Sequence, residues 1–511
     1  MPTTTAAEQS YARYALGVLV VVYVLNFLDR QILSILAERI KADLALSDAQ
    51  IGFMYGTAFA VFYALFGIPL GRLADLWIRT RLIALGLAVW SLMTAASAFA
   101  RGFGELSAAR IGVGVGEASA NPAAYSLLSD YFPPARRATV LAIYSSGIYL
   151  GAGLGLFIGG LIVERWDAAY AGVAAPLGLR GWQVAFLAVG LPGLPLALWV
   201  STLREPRRGQ SEGRAAEARH PHPWREFGRE LRAVIPPFTL LHLGLQGRRP
   251  LLINLAAGGL IGLAVAGLIA ALGTPAQWIA LGIGMYAAVS WAQALALRDR
   301  AAYAMIFHTP TLRYSAVGFA LLAFTGYGIG FWVPPYFIRV RGVSEAEAGL
   351  LLGGTAAAAG WLGVTVGGLW SDRWRPRAAA ARLYVGIVAA LAPLPFVVWM
   401  LSTDILWLAF ALTAATNFGT SMWIGPGAST VQDLVAPRVR ASAAAAYLLV
   451  VTFIGLALGP YTIGYLSAAL GDLRLAMLCG LVVNPVAALL LWLGSRHLAA
   501  DEARMRERAE G

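Results

Sequence analysis

Apolar residues occur in runs separated by short polar or arginine-rich segments along nearly the whole chain. A run of about 20 residues is long enough to cross ~30 Å of hydrocarbon as an α-helix. The pattern predicts about fourteen such spans, at residues 14–37, 50–74, 82–100, 105–128, 139–163, 182–203, 251–271, 277–297, 313–338, 346–370, 383–401, 405–428, 441–466 and 473–495. The expected fold class is therefore an all-α polytopic membrane protein.

One stretch of the sequence occurs twice with its spacing preserved. The repeated residues are Ser47, Gly52, Gly71 and Asp75, which recur 297 positions later as Ser344, Gly349, Gly368 and Asp372. Both copies begin with a helix-capping box. A second block that begins at Asp130 recurs from Asp433, at an offset of 303 (433 − 130). In a membrane chain, a duplicated half indicates two bundles around a shared cavity, which is the plan of a secondary transporter.

The repeat predicts the domain organisation. We expect an N-terminal six-helix bundle at 14–203, a cytoplasmic basic linker at 204–250, an inserted transmembrane hairpin at 251–297, a C-terminal six-helix bundle at 313–495 and a cytoplasmic tail at 496–511. The hairpin carries no charges and has no counterpart in the other half, which favours a peripheral structural role. In the linker, Trp224, Phe227, Leu231 and Ile235 share one helical face. This pattern fits either a short interfacial helix on anionic lipid or a solvated basic linker.

The composition excludes a soluble protein. The chain has 511 residues, of which 59% are hydrophobic and only 13% charged, too few charges to cover a soluble surface of this size. A net charge of +12 could suggest nucleic acid. Most of the 39 lysines and arginines, however, fall in the N-terminus, the even-numbered connections and the C-terminus. This positive-inside bias places both termini in the cytoplasm. The excess basic residues then face the lipids of the inner leaflet, so no nucleic-acid partner is expected.

The inventory of reactive groups is small. Cys479 is the single cysteine, so neither a disulfide nor a cysteine-based metal site can form. No cofactor, metal site or catalytic residue is expected. A membrane enzyme would need a cluster of His, Asp or Ser at the membrane face, and the sequence offers none. We expect a monomer.

Away from the first and last three residues of the predicted spans, four charged residues remain, and all of them belong to the first half: Asp29, Arg30, Arg110 and Glu117. Charges within a membrane are costly and survive mainly when they are paired or face water. Arg110 and Glu117 are two helical turns apart on one face, roughly 10 Å. We therefore predict a proton-coupling site in which Asp29 and Glu117 take up protons and the arginines act as counter-charges or anion ligands. The alternative is a fixed ion-pair network that only joins helices.

Two motifs in the first half resemble those of a known family. The loop Gly71-x-x-x-Asp75-x-x-x-Arg79-x-Arg81 resembles the signature loop of the major facilitator superfamily, although Leu76 and Ile78 stand where Arg and Gly are usual. Residues 368–377 resemble its weaker copy in the second half. Arg110-x-x-x-Gly114-x-Gly116 is similar to the superfamily's helix-4 arginine motif.

Several segments resemble more narrowly the spinster branch of that superfamily. They are Asn26-Phe-Leu-Asp29-Arg30 and residues 110–119, 130–137 and 204–209. The resemblance implies two bundles that rock in alternating access, in a bacterial inner membrane. Because animal spinster relatives carry sphingosine-1-phosphate and lysolipids, it also implies a lysolipid-like or amphiphilic anionic small molecule as substrate.

Both copies of the signature loop suit a cytoplasmic gate. A carboxylate there can lie at a helix N-terminus and pair with an arginine in one conformation only. The predicted gate residues are Gly71, Asp75, Arg79, Arg81, Gly368, Asp372 and Arg373. Anchoring of the chain by positive charge is the alternative role, and the two are compatible.

The superfamily plan also implies a central cavity. Its candidate lining residues are Asn26, Tyr149, Tyr327, Trp332, Asn417, Ser421 and Trp423. This mixture of aromatic and sparse polar groups favours an amphiphilic ligand over a sugar. The glycines of the fifth span, Gly147, Gly151, Gly155 and Gly159, recur every four residues and predict close helix packing. A carrier of organic anions or drugs on the same fold is the nearest alternative function, and a channel or receptor is a more distant one.

Overall fold

The structure is a computed structural model that describes residues 6–208, 210–212, 221–235, 238–436 and 439–510. Every regular element within those residues is helical, which confirms the predicted all-α class. The α-helices are α1 (Ala6–Leu44), α2 (Asp48–Tyr55), α3 (Thr57–Leu76), α4 (Arg79–Ser97), α5 (Phe103–Glu117), α6 (Ala120–Tyr131), α7 (Pro134–Ala169), α8 (Gly181–Gly190), α9 (Gly193–Ser201), α10 (Pro223–Val234), α11 (Phe238–Gly244), α12 (Arg248–Leu272), α13 (Pro275–Arg298), α14 (Arg300–Phe307), α15 (Pro310–Arg339), α16 (Glu345–Trp374), α17 (Ala381–Leu391), α18 (Pro393–Ser402), α19 (Leu406–Ser421), α20 (Ile424–Asp433), α21 (Arg440–Val450), α22 (Leu458–Leu470), α23 (Leu473–Gly480) and α24 (Val483–Glu510).

Twelve helices in the described part of the chain are long and apolar enough to cross a membrane. Two more apolar segments, at 103–131 and 406–433, are interrupted near their middle and fall outside that set. The interruptions coincide with prolines. Pro122 and Pro426 lie four residues after Ala118 and Met422, where a proline ring clashes with the carbonyl of the preceding turn. The predicted count of fourteen spans stays a prediction.

The chain divides into two compact units. Unit 1 comprises the described residues of Met1–Ala45, Phe62–Arg232 and Ser344–Gly353, and unit 2 those of Leu46–Val61, Ala233–Val343 and Gly354–Gly511. Each unit therefore contains one short segment that comes from the other half of the sequence. Both segments are the start of the repeated stretch. The predicted division into two six-helix bundles, a linker and a hairpin stays a prediction.

The repeated glycines of these two segments have a common structural cause. In unit 2, a Cβ atom on Gly52 would lie 2.5 Å from the Pro460 carbonyl oxygen. In unit 1, a Cβ atom on Gly349 would overlap the Leu156 carbonyl oxygen. Only glycine permits such close approach of two helix backbones. Each copy of the repeat thus keeps its glycine at the point where its helix crosses another helix.

The inserted hairpin α12–α13 is joined internally by a polar network. The Asn254 amide donates to Ser290 Oγ at 3.1 Å and to Gln293 Oε1 at 2.9 Å. The Tyr286 hydroxyl donates to the Asn254 carboxamide oxygen at 2.5 Å. In an apolar environment such side-chain bonds hold two helices together.

Helix α13 docks on other parts of unit 2. The Thr274 and Tyr461 hydroxyls are 2.6 Å apart, and the Trp278 ring meets the Tyr461 ring edge-on at 5.6 Å. A Cβ atom on Gly284 would lie 3.1 Å from Phe453. Phe453 belongs to a π-helical turn, Val451–Ala457, between α21 and α22. The hairpin is therefore attached to the helix that contains this irregular turn.

In the linker, α10 lies within the predicted amphipathic segment. Trp224 at its start packs against Trp77, with ring centroids 4.9 Å apart. Ring packing of this kind connects the linker with the loop between α3 and α4. The interfacial-helix and solvated-linker alternatives both remain open.

Candidate functional site

The four predicted proton-coupling residues lie together in unit 1. Helix α1 supplies Asp29 and Arg30, and α5 supplies Arg110 and Glu117. Arg30 Nε donates to Glu117 Oε2 at 2.6 Å, and Arg110 Nη1 lies 3.6 Å from Asp29 Oδ1. Asp29, Arg110 and Glu117 are each 1% exposed. Two buried ion pairs thus join α1 to α5. On α1, the acid of one pair and the arginine of the other are neighbours in the sequence.

The two carboxylates differ in how they are held. Asp29 accepts a hydrogen bond from the Thr94 hydroxyl of α4 through Oδ2, while its Oδ1 has no hydrogen bond within the described residues. Glu117 has one strong bond to Arg30, and its Oε1 has no hydrogen bond there. Since a hydroxyl both donates and accepts, Thr94 can serve a charged or a protonated Asp29. Thr94 was not identified from the sequence, because only packing of α4 brings it to α1.

A chain of two tyrosines and one asparagine extends from the charge cluster. The Arg30 guanidinium lies 4.9 Å from the centroid of the Tyr63 ring, a favourable cation–π geometry. The Asn121 amide donates to the Tyr63 hydroxyl at 3.3 Å. The Tyr144 hydroxyl donates to Asn121 Oδ1 at 3.1 Å. Tyr63, Asn121 and Tyr144 were not predicted as site residues, since nothing in their spacing distinguishes them from packing residues.

Glycines of α7 set the position of α1 next to this cluster. A Cβ atom on Gly151 would lie 2.8 Å from Phe27 Cβ, and one on Gly155 would lie 2.7 Å from the Leu28 carbonyl oxygen. Both contacts are closer than a side chain tolerates. The predicted close packing of the glycine-rich span is confirmed, and it fixes the turn of α1 that carries Asp29.

Arg79 of the predicted gate is completely buried in unit 1. Its guanidinium donates to Asp130 Oδ2 at 2.5 Å, to Glu205 Oε1 at 2.7 Å and to Ser126 Oγ at 2.9 Å. Glu205 also accepts from the backbone N–H of Thr80, at the start of α4. A carboxylate at a helix N-terminus is favoured by the helix dipole.

Arg208 is a second linker residue that contacts this loop. Its guanidinium donates to the carbonyls of Ala74 and Trp77 at 2.7 and 2.9 Å, at the end of α3. Burial lowers the pKa of Arg208, and the nearby charge of Arg79 acts in the same direction. An arginine nevertheless remains charged in proteins. The sequence showed Glu205 and Arg208 only as parts of a family motif.

The other predicted gate residues of the first half are less enclosed. Asp75 and Arg81 are exposed, and a Cβ atom on Gly71 would be in ordinary contact with Pro122 at 3.9 Å. The gate role of these residues is therefore a proposal that rests on Arg79 and its partners.

The second half carries a reduced version of the Arg79 arrangement. Arg382 and Asp433 form an ion pair, and they lie 303 positions after Arg79 and Asp130. Arg382 Nη2 is 3.6 Å from the carboxylate of Asp372, which is 70% exposed. Arg373 is exposed, and a Cβ atom on Gly368 would meet nothing within 4 Å. No described carboxylate takes the place of Glu205, because Arg382 Nε has no hydrogen bond within those residues.

Each copy of the repeated stretch also begins with an acid that pairs with an arginine. In unit 2, Arg339 donates two bonds to Asp48, at 2.6 and 2.7 Å, and Ser467 donates to the same carboxylate. In unit 1, Arg39 Nε donates to Glu345 Oε1 at 2.7 Å. Asp48 and Glu345 are 297 positions apart. The repeat therefore preserves an acid in the first turn of the helix and an arginine partner.

The predicted cavity residues occupy different environments. Trp332 is fully buried, and its ring N–H donates to the Pro460 carbonyl at 2.8 Å. Ser421 donates to the Gly360 carbonyl, and Trp423 packs against Phe319. These contacts are those of packing residues.

The remaining predicted cavity residues divide between the units. Asn26 of unit 1 is 2% exposed, and its carboxamide oxygen has no hydrogen bond among the described residues. Tyr149 of unit 1 and Tyr327 and Asn417 of unit 2 are half-buried. Their contact with substrate stays a prediction. Among the described residues, no group of three or more His, Cys, Asp or Glu is arranged to hold a metal ion.

The all-helical fold, the duplicated apolar halves and the ion pairs buried in one of them define a polytopic membrane transporter. The model of the Major Facilitator Superfamily matches residues 19–460. The chain belongs to this superfamily, whose members are transporters and efflux pumps rather than enzymes.

Known relatives place the chain within the superfamily. It is 27% identical to an MFS-type efflux pump of Mycolicibacterium smegmatis, over 95% of this chain and 93% of that protein. It is 32% identical to the hexuronate transporter of Bacillus subtilis, over 36% of this chain and 40% of that protein. A crystal structure of a bacterial homologue of the human lysosomal transporter Spinster, inward-facing and unoccupied, matches with a TM-score of 0.72 and 26% identity, over 96% of this chain and 98% of that one. The chain is thus a spinster-like member.

Proposed function

We propose that this chain is a proton-coupled secondary transporter that moves an amphiphilic organic anion by alternating access. In this proposal it resides in a bacterial inner membrane as a monomer, with both termini in the cytoplasm. The observation that carries it is the pair of ion pairs, Asp29–Arg110 and Glu117–Arg30, buried in unit 1. Charges at such positions are costly, and apolar packing would join the helices at least as well.

The geometry supports a specific role for each member. Arg110 Nη1 lies 3.6 Å from Asp29 Oδ1, a longer and weaker contact than the 2.6 Å bond between Arg30 and Glu117. A proton on Asp29 Oδ1 therefore disturbs a weak contact with arginine, while Thr94 keeps its bond to Oδ2. Protonation removes the attraction and frees Arg110 to rearrange. Glu117 can accept a proton on Oε1, which weakens its bond to Arg30 and makes the guanidinium available to the anion.

A second candidate function is the carriage of hydrophilic organic acids, such as sugar acids. It is favoured by the similarity to the hexuronate transporter, whose 32% identity is the highest of the three values given above but covers a smaller part of the chain. Drug efflux is the corresponding alternative from the mycobacterial relative.

Flux in proteoliposomes with an imposed pH gradient tests the proposal. The panel contains a lysolipid, a hexuronate and a cationic dye typical of efflux pumps. We expect saturable, gradient-driven flux of the lysolipid. Hexuronate flux alone would favour the second candidate, and gradient-driven flux of the dye alone would favour efflux.

Variants of the two carboxylates test the coupling itself. Asp29→Asn and Glu117→Gln should abolish gradient-driven flux while the protein remains folded in detergent. Asp472→Asn is the matched control, because this exposed carboxylate only caps α23. If both cluster variants kept the pH dependence of the wild type, the coupling assignment would be wrong.

A further inference from the structure

One duplicated tyrosine is bound differently in the two halves of the sequence. Tyr447 lies 303 positions after Tyr144, the same offset that relates Asp433 to Asp130. Both residues are buried, at 7% and 1% exposure. The Tyr144 hydroxyl donates to Asn121, whereas the Tyr447 hydroxyl has no hydrogen-bond partner within the described residues.

The cause lies in what replaced the surroundings of Tyr144. The position equivalent to Asn121 is Ile424 (424 − 121 = 303), whose side chain neither donates nor accepts. The position equivalent to Tyr125, whose ring packs on Tyr144, is Ala428. The second half has thus kept the hydroxyl and lost the groups that occupy it in the first half.

The backbone makes room for this hydroxyl. A Cβ atom on Gly427 would collide with the Tyr447 hydroxyl oxygen, and it would lie 3.3 Å from the Phe319 ring. The hydroxyl therefore lies directly over α20, on a glycine flanked by an aromatic ring. In the first half, the corresponding helix α6 continues from α5, which carries Arg110 and Glu117.

A buried hydroxyl without a partner loses its bonds to water and gains none in return, which destabilises the fold relative to a bonded hydroxyl. A phenylalanine would fill the same space without this cost, so the hydroxyl is expected to meet a partner at some stage of the protein's work. We propose that the Tyr447 hydroxyl donates a hydrogen bond to an oxygen acceptor, a carboxylate or hydroxyl, of the transported molecule. This inference rests on the proposed function and deepens it: the first half holds the charges, and the second half supplies a neutral hydrogen-bond donor to the substrate.

Three variants test the proposal through the KM and kcat of flux in proteoliposomes. The probe is whichever panel member, lysolipid or hexuronate, the wild type transports. Tyr447→Phe should raise KM on the order of tenfold with little change in kcat, the effect of removing one hydrogen bond to the substrate. Ile424→Asn gives Tyr447 the internal partner that Tyr144 has, and it should raise KM in the same direction without loss of thermal stability.

Tyr144→Phe is the matched control. It breaks an internal bond and should lower the thermal stability in detergent, whereas Tyr447→Phe should leave the stability unchanged or raised. Unchanged KM in both Tyr447→Phe and Ile424→Asn would overturn the inference while leaving transport established. A loss of stability in Tyr447→Phe as large as that in Tyr144→Phe, without a change in KM, would assign the hydroxyl to packing. Absence of flux of every panel member by the wild type would overturn the proposed function and this inference with it.

Discussion

The two halves of the sequence carry the same arginine–aspartate pair beside the start of equivalent helices, yet they enclose it differently. In the first half, Arg79 is fully buried and reaches Asp130 and Glu205. In the second half, Arg382 reaches Asp433 and, at 3.6 Å, the exposed Asp372, and its Nε has no hydrogen bond within the described residues. The difference teaches that both halves retain the pair, while only the first half adds a hydrogen-bonded second acid, Glu205, which comes from the linker.

The same contrast extends to the middle of the helices. The first half buries two acid–arginine pairs and satisfies Tyr144 internally. At the equivalent helical positions the second half has Thr413 and Thr420 in place of Arg110 and Glu117, and its Tyr447 is without a partner among the described residues. This asymmetry is the basis of the proposed division of work between proton and substrate.

The largest expected effect is at Arg110. Arg110→Gln leaves the 1%-exposed Asp29 without its counter-charge, which should cost about 3–5 kcal/mol of stability. Thermal unfolding in detergent measures the loss. The equivalent residue Thr413 only bonds to Thr355 and a local carbonyl, so Thr413→Val should cost about 1 kcal/mol. Equal losses would contradict the asymmetry, and the double variant Asp29→Asn/Arg110→Gln should recover most of the stability.

The next effect compares the two duplicated arginines. Arg79→Gln removes bonds to two carboxylates from a fully buried position and should cost about 3 kcal/mol. Arg382→Gln affects a more accessible pair, because Asp433 is 32% exposed, and should cost about 1 kcal/mol. Parallel melting curves of the two variants check the order. The reverse order would show that the linker contacts of Arg79 add nothing.

A smaller effect tests what the halves share. Gly52→Ala and Gly349→Ala each place a methyl group against a helix carbonyl, and each should cost about 1–3 kcal/mol. Gly354→Ala, in the same helix as Gly349 but with nothing within 4 Å, should be neutral or slightly stabilising because alanine favours helix. Melting temperatures that do not separate Gly349→Ala from Gly354→Ala would contradict the helix-crossing explanation of the repeat.

The smallest effect is expected at Glu345, one of the two acids at the start of the repeat. Arg39, the partner of Glu345, is 46% exposed, so Glu345→Gln should cost less than about 1 kcal/mol and its effect should vanish at high salt. Asp48 holds Arg339 through two bonds and is 4% exposed. Asp48→Asn should cost about 2 kcal/mol at either salt concentration. Unfolding measured at low and high salt separates the two pairs, and equal salt dependence would contradict the difference in burial.

Part of the candidate site was visible in the sequence because it depends on rare residues. Charged residues in the interior of apolar runs are few, so Asp29, Arg30, Arg110 and Glu117 could be identified from their positions in the sequence alone. Their pairing could not: Asp29 faces Arg110 and Glu117 faces Arg30, and the reverse choice fits the spacing equally well. The partner of each charge depends on the rotation of α1 against α5, which close packing on the α7 glycines sets.

The sequence by itself determined the all-helical class, the duplicated halves and the position of the four charges in the interiors of apolar runs, because hydrophobic runs, repeat spacing and rare charges are properties of local sequence. Tertiary structure decided which groups form hydrogen bonds: Thr94 bonds to Asp29, Glu205 bonds to Arg79, and no described residue bonds to the Tyr447 hydroxyl. Such partners lie tens to hundreds of positions apart, and helix periodicity carries no information about them. They are fixed only when glycine contacts and broken helices set the rotation and depth of each helix against its neighbours.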